Sequence, residues 1–151
     1  MRGDILYYAP RTIERTAGSN YNKSVYDCQK EIMKKQPGVQ RVDKPWGYEI
    51  IYAWTEKYVG KVLFVKKGHR LSLQFHREKD ETIFIYQGKI ELQVGEKEDK
   101  LSTRILPAGT AVRLKPLMLH RMKALADTHI LEVSTPQITD VVRLMDDYGR
   151  V

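Results

Sequence analysis

The chain has 151 residues, 42% of them hydrophobic and 30% charged, which is the size of one domain with a single buried core. Its formal charge of +7 divides into +4 over residues 1–41 and +3 over the rest, with no dense Lys/Arg run and none of the spacings of helical nucleic-acid readers, so nucleic acid is not the expected partner. One cysteine, Cys28, excludes an intrachain disulfide and any cysteine-based zinc site, and no apolar run approaches the ~20 residues of a bilayer crossing; a cytoplasmic protein without membrane association is expected.

The opening MRGDILYYAPR has only a short apolar stretch, Ile5–Ala9, between charges, short of the ~7–15 residues of a secretory signal. Further on, Ser24 and Asp27 form a capping pair, Val25, Cys28 and Ile32 fall at helical spacing, and Pro37-Gly38 is a stop. These signals predict a short helix over about 24–35 within an N-terminal arm, residues 1–41, that carries no chemistry of its own.

From residue 42 to 151 the texture changes. Short runs rich in Val, Ile, Leu and Tyr alternate with Gly, Pro and charged clusters, which predicts strands at Tyr48–Ala53, Lys61–Lys66, Thr82–Gln87, Lys89–Val94, Ala111–Leu114 and Thr128–Val133. Gly88 separates two of these runs and predicts a tight hairpin, and Pro107-Ala-Gly109 marks another turn. No ten-residue helical pattern occurs over 42–136. An all-β jelly roll or small barrel is the economical architecture.

The segment Gly68–Gly88 concentrates polar residues at defined spacings: Gln74, then His76 two residues on, then Glu81 after a short charged turn. Residues i and i+2 of a strand share a face, so Gln74 and His76 project together, and Glu81 reaches the same space from the next strand. His120, after Pro116, opens a later strand. One amide oxygen, two imidazoles and a carboxylate make a mixed N/O set suited to one divalent metal ion such as Zn, Fe, Ni, Co or Mn. His69 and His129 have no partner at ligand spacing and are read as ordinary polar residues.

The Gly68–Gly88 frame resembles the first cupin motif with Gln in place of its first His, and Lys115-Pro-Leu-Met-Leu-His120 partly resembles the second, one residue shorter than the usual Pro-x-Gly-x-x-His. The likeness extends to the type II mannose-6-phosphate isomerase family. It is carried by Lys44-Pro-Trp-Gly-Tyr48, Leu71-Ser-Leu-Gln-Phe-His76, Glu132-Val-Ser, Asp140-Val-Val-Arg143 and Asp146-Asp-Tyr-Gly-Arg150. The resemblance implies a cupin-type jelly roll whose metal is held by Gln74, His76, Glu81 and His120. It implies that Lys61, Lys79 and Glu81 serve catalysis, with Lys79 standing where the family has an arginine and Thr82 where it has a histidine. It also implies that Arg143 and Arg150 reach an anionic sugar over the barrel mouth, with the tail from Pro136 packed back beside it.

Three functions fit this reading. The first is a metal-dependent aldose–ketose sugar-phosphate isomerase, in which Lys61, Lys79 or an unliganded Glu moves the proton, a lysine doing so if its pKa is lowered. The second is an iron-dependent dioxygenase using the same ligands, and the third a non-catalytic sugar-binding cupin of polysaccharide synthesis. A homodimer is expected because small jelly rolls expose sheet edges that a partner covers.

Overall fold

The computed structural model describes residues 38–150, so the helix expected over 24–35 lies outside the described residues. Eleven strands follow in order: β1 (Gln40–Lys44), β2 (Gly47–Trp54), β3 (Val59–Val65), β4 (Leu73–Phe75), β5 (Glu81–Gln87), β6 (Lys89–Gly95), β7 (Ser102–Pro107), β8 (Ala111–Leu114), β9 (Leu119–Ala124), β10 (Thr128–Ser134) and β11 (Val142–Met145). A six-stranded antiparallel sheet, β1-β2-β3-β10-β5-β8, packs on a five-stranded one, β11-β4-β9-β6-β7. This is the all-β jelly roll that the alternating strand texture predicts. Among the described residues no helix is long and apolar enough to cross a membrane.

The core lies between the two sheets and follows the period of two along each strand. Leu63 and Val65 of β3, Ile130 of β10, and Ile83 and Ile85 of β5 point in from one sheet. Ile90 and Leu92 of β6, and Met122 and Ala124 of β9, point in from the other. Ile83, Ile85, Ile90 and Ile130 are 0% exposed, and each such side chain contributes ~2 kcal/mol through burial. Continued toward one end, the same inward rows carry Lys61, Glu132, Glu81 and His120, all buried. The site is thus the polar end of the core, built on the strands that make its apolar part.

Gly88 does not close a hairpin. β5 pairs with β10 and β8, whereas β6 pairs with β7 and β9, so Gly88 turns the corner where the chain leaves one sheet for the other. Its φ of +93° and the approach of the Asp127 carbonyl and the Thr128 hydroxyl, each 2.5 Å from where a Cβ would stand, make glycine the residue that fits. The Pro107–Gly109 turn is a second corner beside it, tied by Ala108 N–H to the Gly88 carbonyl at 3.2 Å and Gly109 N–H to the Ile85 carbonyl at 2.8 Å. The tail does return to the barrel: β11 pairs with β4, setting Arg143 opposite Gln74.

Candidate metal centre

Each of the four sequence-predicted ligands is delivered by a different piece of backbone. Gln74 sits in the middle of β4 and pairs with His120 of β9; His76 follows the end of β4; Glu81 opens β5 opposite Ser134 of β10. His76, Glu81 and His120 are all buried, and their ligand atoms lie within 4.8 Å of one another. His76 Nε2 is 3.6 Å from Glu81 Oε2, and His120 Nε2 is 3.4 Å from Glu81 Oε1. Such separations match the edges, about 3.4 Å, of a tetrahedron of ligands placed ~2.1 Å from a central ion. Gln74 brings its amide to the same place, its Nε2 3.4 Å from His120 Nε2, while its Oε1 accepts from the Ser72 hydroxyl at 2.7 Å.

The tautomers of both histidines follow from their other nitrogens. His76 Nδ1 faces the Asp140 backbone carbonyl and His120 Nδ1 faces that of Met118 at 2.9 Å. A carbonyl only accepts, so each Nδ1 carries the proton and each Nε2 turns a lone pair toward Glu81. Buried His76 Nε2 has no hydrogen-bond partner, a costly state that a bound cation relieves. Burial pushes the His120 pKa below its ordinary value despite Glu81 nearby, keeping it the neutral donor a metal requires. Burial by itself raises the Glu81 pKa, but the charge of the Lys79 ammonium beside it acts the other way, and the carboxyl is held well below the usual range. These residues fit a divalent metal.

A second layer of charge surrounds the triad. Lys79 is 3% exposed, and its ammonium touches Glu81 Oε2 and pairs with Glu132 Oε1 at 2.7 Å. Glu132 also faces Lys61 Nζ at 3.6 Å. Burial depresses the Lys79 pKa, but Glu132 and Glu81 more than reverse it, so the pKa is raised, opposite to the lowering a lysine base needs. Glu132 is the functional residue that sequence reasoning missed as a site group. The available signal was a charged residue at an inward position of β10, two places from Ile130 and in register with Lys61 of β3.

The centre opens into a solvent-accessible cleft. Lys61, Lys79, Arg143 and Arg150 all line it, with Lys44 and Trp46. Carboxylates there are more numerous than the sequence suggested, since Glu49 and Glu132 join Glu81. Arg143 Nε is buried without a hydrogen-bond partner. Arg150 is held by Asp146, its Nε donating to Oδ2 at 3.0 Å, and Asp147 fastens the same turn through Arg70 and Arg121. The other two histidines lie apart from the triad: His69 bonds the Tyr148 hydroxyl at 3.2 Å and His129 packs on Phe64.

Residues 30–146 match the family described as mannose-6-phosphate isomerase C-terminal. The xanthan biosynthesis protein XanB of Xanthomonas campestris pv. campestris is 29% identical over 117 residues, 74% of this chain and 24% of that protein, so the chain spans about a quarter of this relative's length. Among solved structures, KdgF from Halomonas sp. superposes with a TM-score of 0.59 at 21% identity, over 67% of this chain and 89% of that one. An RmlC-like cupin from Shewanella frigidimarina gives 0.59 at 14% identity, over 68% and 88%. These two likenesses are of fold, and the fold is the cupin jelly roll.

Proposed function

The chain belongs to the mannose-6-phosphate isomerase C-terminal family of cupins, and on that footing we propose that it is a metal-dependent enzyme acting on a phosphorylated or nucleotide-linked sugar, as an aldose–ketose sugar-phosphate isomerase. The observation that carries the proposal is the buried His76–Glu81–His120 triad, with the unpartnered Nε2 of His76, at the base of a cleft lined by Arg143, Arg150 and Lys44. Gln74 would complete the ligand set through Oε1 once its amide turns over, since Nε2 faces His120 and Oε1 faces Ser72. A divalent ion in that set supplies Lewis acidity to the carbonyl and neighbouring hydroxyl of an open-chain sugar.

The chain's own groups divide the remaining work. Lys79 Nζ, kept protonated between two carboxylates, donates to substrate oxygen where negative charge develops, rather than taking a proton from carbon. Glu132, buried in the cleft outside the triad, is the carboxylate placed to take that proton, with Lys61 beside it. Arginine forks match phosphate oxygens in pairs, which assigns Arg143 to the anionic end of the sugar, with Arg150, whose fork is held by Asp146, contributing at most its charge.

The test is elemental analysis of the purified protein together with a coupled assay on a panel of aldose and ketose phosphates. Stoichiometric metal with turnover supports the isomerase. Metal and sugar-phosphate binding without turnover on the panel would replace it with a sugar-binding cupin, and iron with oxygen consumption would replace it with a dioxygenase.

A further inference from the structure

The ammonium of Lys79 and a metal ion would claim the same carboxylate. Glu81 turns Oε1 toward His120 and Oε2 toward His76, and Lys79 rests on Oε2. Two cations sharing one buried oxygen repel strongly, so one has to give way. The backbone under Lys79 does not let it withdraw. Asp140 accepts the N–H groups of Arg77, Glu78 and Lys79 at 3.0, 2.7 and 2.9 Å. On the far side, Asp80 N–H donates to Thr135 Oγ1 at 3.1 Å and Thr135 N–H to the Asp80 carbonyl at 3.0 Å. With its backbone tethered the nearest alternative for the ammonium is a change of partner, and the second partner, Glu132, already stands 2.7 Å from its Nζ.

The charge count agrees. Lys61, Lys79, Glu81 and Glu132 form a buried quartet of two cations and two anions, neutral with no metal present. When a divalent ion takes Glu81, Lys79 would be an unpaired buried cation were Glu132 not beside it, and a buried unpaired charge is strongly unfavourable. Glu132 is therefore more than a neighbour of the centre.

Building on the metal centre assigned above, we propose that Lys79 is an internal counter-ion that occupies Glu81 until a divalent cation displaces it onto Glu132, so that this lysine-for-metal exchange sets the affinity of the site. Lys79 opposes the metal by competing for Oε2, and Glu132 favours the metal by receiving the displaced ammonium. The quartet becomes doubly positive on loading, which makes the metal-bound site the state that recruits an anionic ligand.

The experiment is titration of the full-length chain with Co²⁺, followed by the visible absorption of the bound ion, in wild type, Lys79→Met, Lys79→Arg, Glu132→Gln and the Lys79→Met/Glu132→Gln double variant. Lys79→Met is expected to bind Co²⁺ at least tenfold more tightly than wild type, and Glu132→Gln at least tenfold more weakly. Lys79→Arg, which keeps the competing charge, should stay within about threefold of wild type. In the double variant the Glu132 effect should largely vanish, because Glu132 acts through Lys79. A merely structural Glu132 would weaken binding by the same factor with and without Lys79, and that result overturns the proposal. Should Lys79→Met fail to fold, Lys79→Gln carries the same comparison. Binding by wild type that is unchanged when the lysine charge is removed overturns the exchange alone, leaving the metal centre standing. No Co²⁺ binding by any of the proteins overturns both.

Discussion

The backbone carbonyl of Asp140 accepts the Nδ1–H of His76, while the carboxylate of the same residue accepts three consecutive backbone N–H groups from Arg77 to Lys79. One tail residue therefore orients a ligand of the centre and ties down the loop that leads to the next one. Asp140→Ala should destabilise the fold by about 2 kcal/mol, the range for losing charge-assisted bonds to otherwise unpaired N–H groups. It should also weaken metal retention, and Asp140→Asn should do less of both. Urea unfolding and metal content of the purified variants measure this; an Asp140→Ala protein as stable as wild type would show that the loop holds itself.

Histidine substitutions separate the centre from the rest of the molecule. His76→Ala and His120→Ala are expected to abolish metal retention, because each removes one of the two Nε2 donors facing Glu81. His69→Ala and His129→Ala, whose rings pack on Tyr148 and Phe64, should retain metal at the wild-type ratio. Equal metal content in all four variants would refute the assignment.

The two tail arginines are expected to differ. Arg143 has a buried Nε with no protein partner, whereas Arg150 already has the Asp146 carboxylate. Arg143→Gln should weaken binding of a sugar phosphate at least tenfold and of the neutral sugar much less. Arg150→Ala should have the smaller effect on binding and should cost about 1 kcal/mol of stability through the lost pair. Calorimetry with both ligands and thermal unfolding decide; identical losses for phosphate and neutral sugar in Arg143→Gln would remove the anion-binding role.

Asp146 makes stability depend on acid. The Arg150 side chain, with the backbone N–H groups of Arg150 and Tyr148, pushes its pKa down to about 2, below the ~3.9 of an unfolded aspartate. A carboxyl lowered by folding contributes stability that is present above the unfolded pKa and lost as pH falls through the folded one. Asp146→Asn should therefore be less stable than wild type by about 1 kcal/mol at neutral pH, after discounting for solvent screening. That difference should shrink between about pH 4 and pH 2, and a difference independent of pH across this window would exclude the carboxylate as its cause.

Leu117 is the non-glycine residue with positive φ, +65°, among the described residues, and it is 65% exposed just before His120. A left-handed conformation costs an L-residue ~1–2 kcal/mol, more than the ~0.5–1 kcal/mol of extra chain entropy that glycine brings. Leu117→Gly should raise stability by up to about 1 kcal/mol, since little packing is lost. A lower denaturation midpoint in the variant would mean that the leucine side chain holds the turn.

Local rules carried much of this protein. The alternation of apolar residues identifies β2, β3, β5, β6, β8 and β10, and the spacing of Gln74 and His76 places two side chains together by the strand period of two, a property of the backbone alone. β4 and β9, inside the five-stranded sheet, were legible only through Gln74, His76 and His120, and the strands with neither signal, β1, β7 and β11, are at sheet edges, where solvent on the outer side relaxes the demand for alternation. Gly88 was legible as a bend but not as a corner between sheets, because the same left-handed residue serves either and only the pairing of β6 with β9 tells them apart.

What only the tertiary structure decided is charge. Lys61, Lys79, Glu81 and Glu132 are up to 71 positions apart in the chain, and no spacing rule connects Glu132 to the others. The register of β10 against β3 and β5 brings them together in one buried cluster. The two carboxylates then outweigh burial and turn Lys79 from a candidate base into a held cation, because a pKa answers to the distance of neighbouring charges, which is not written along the chain.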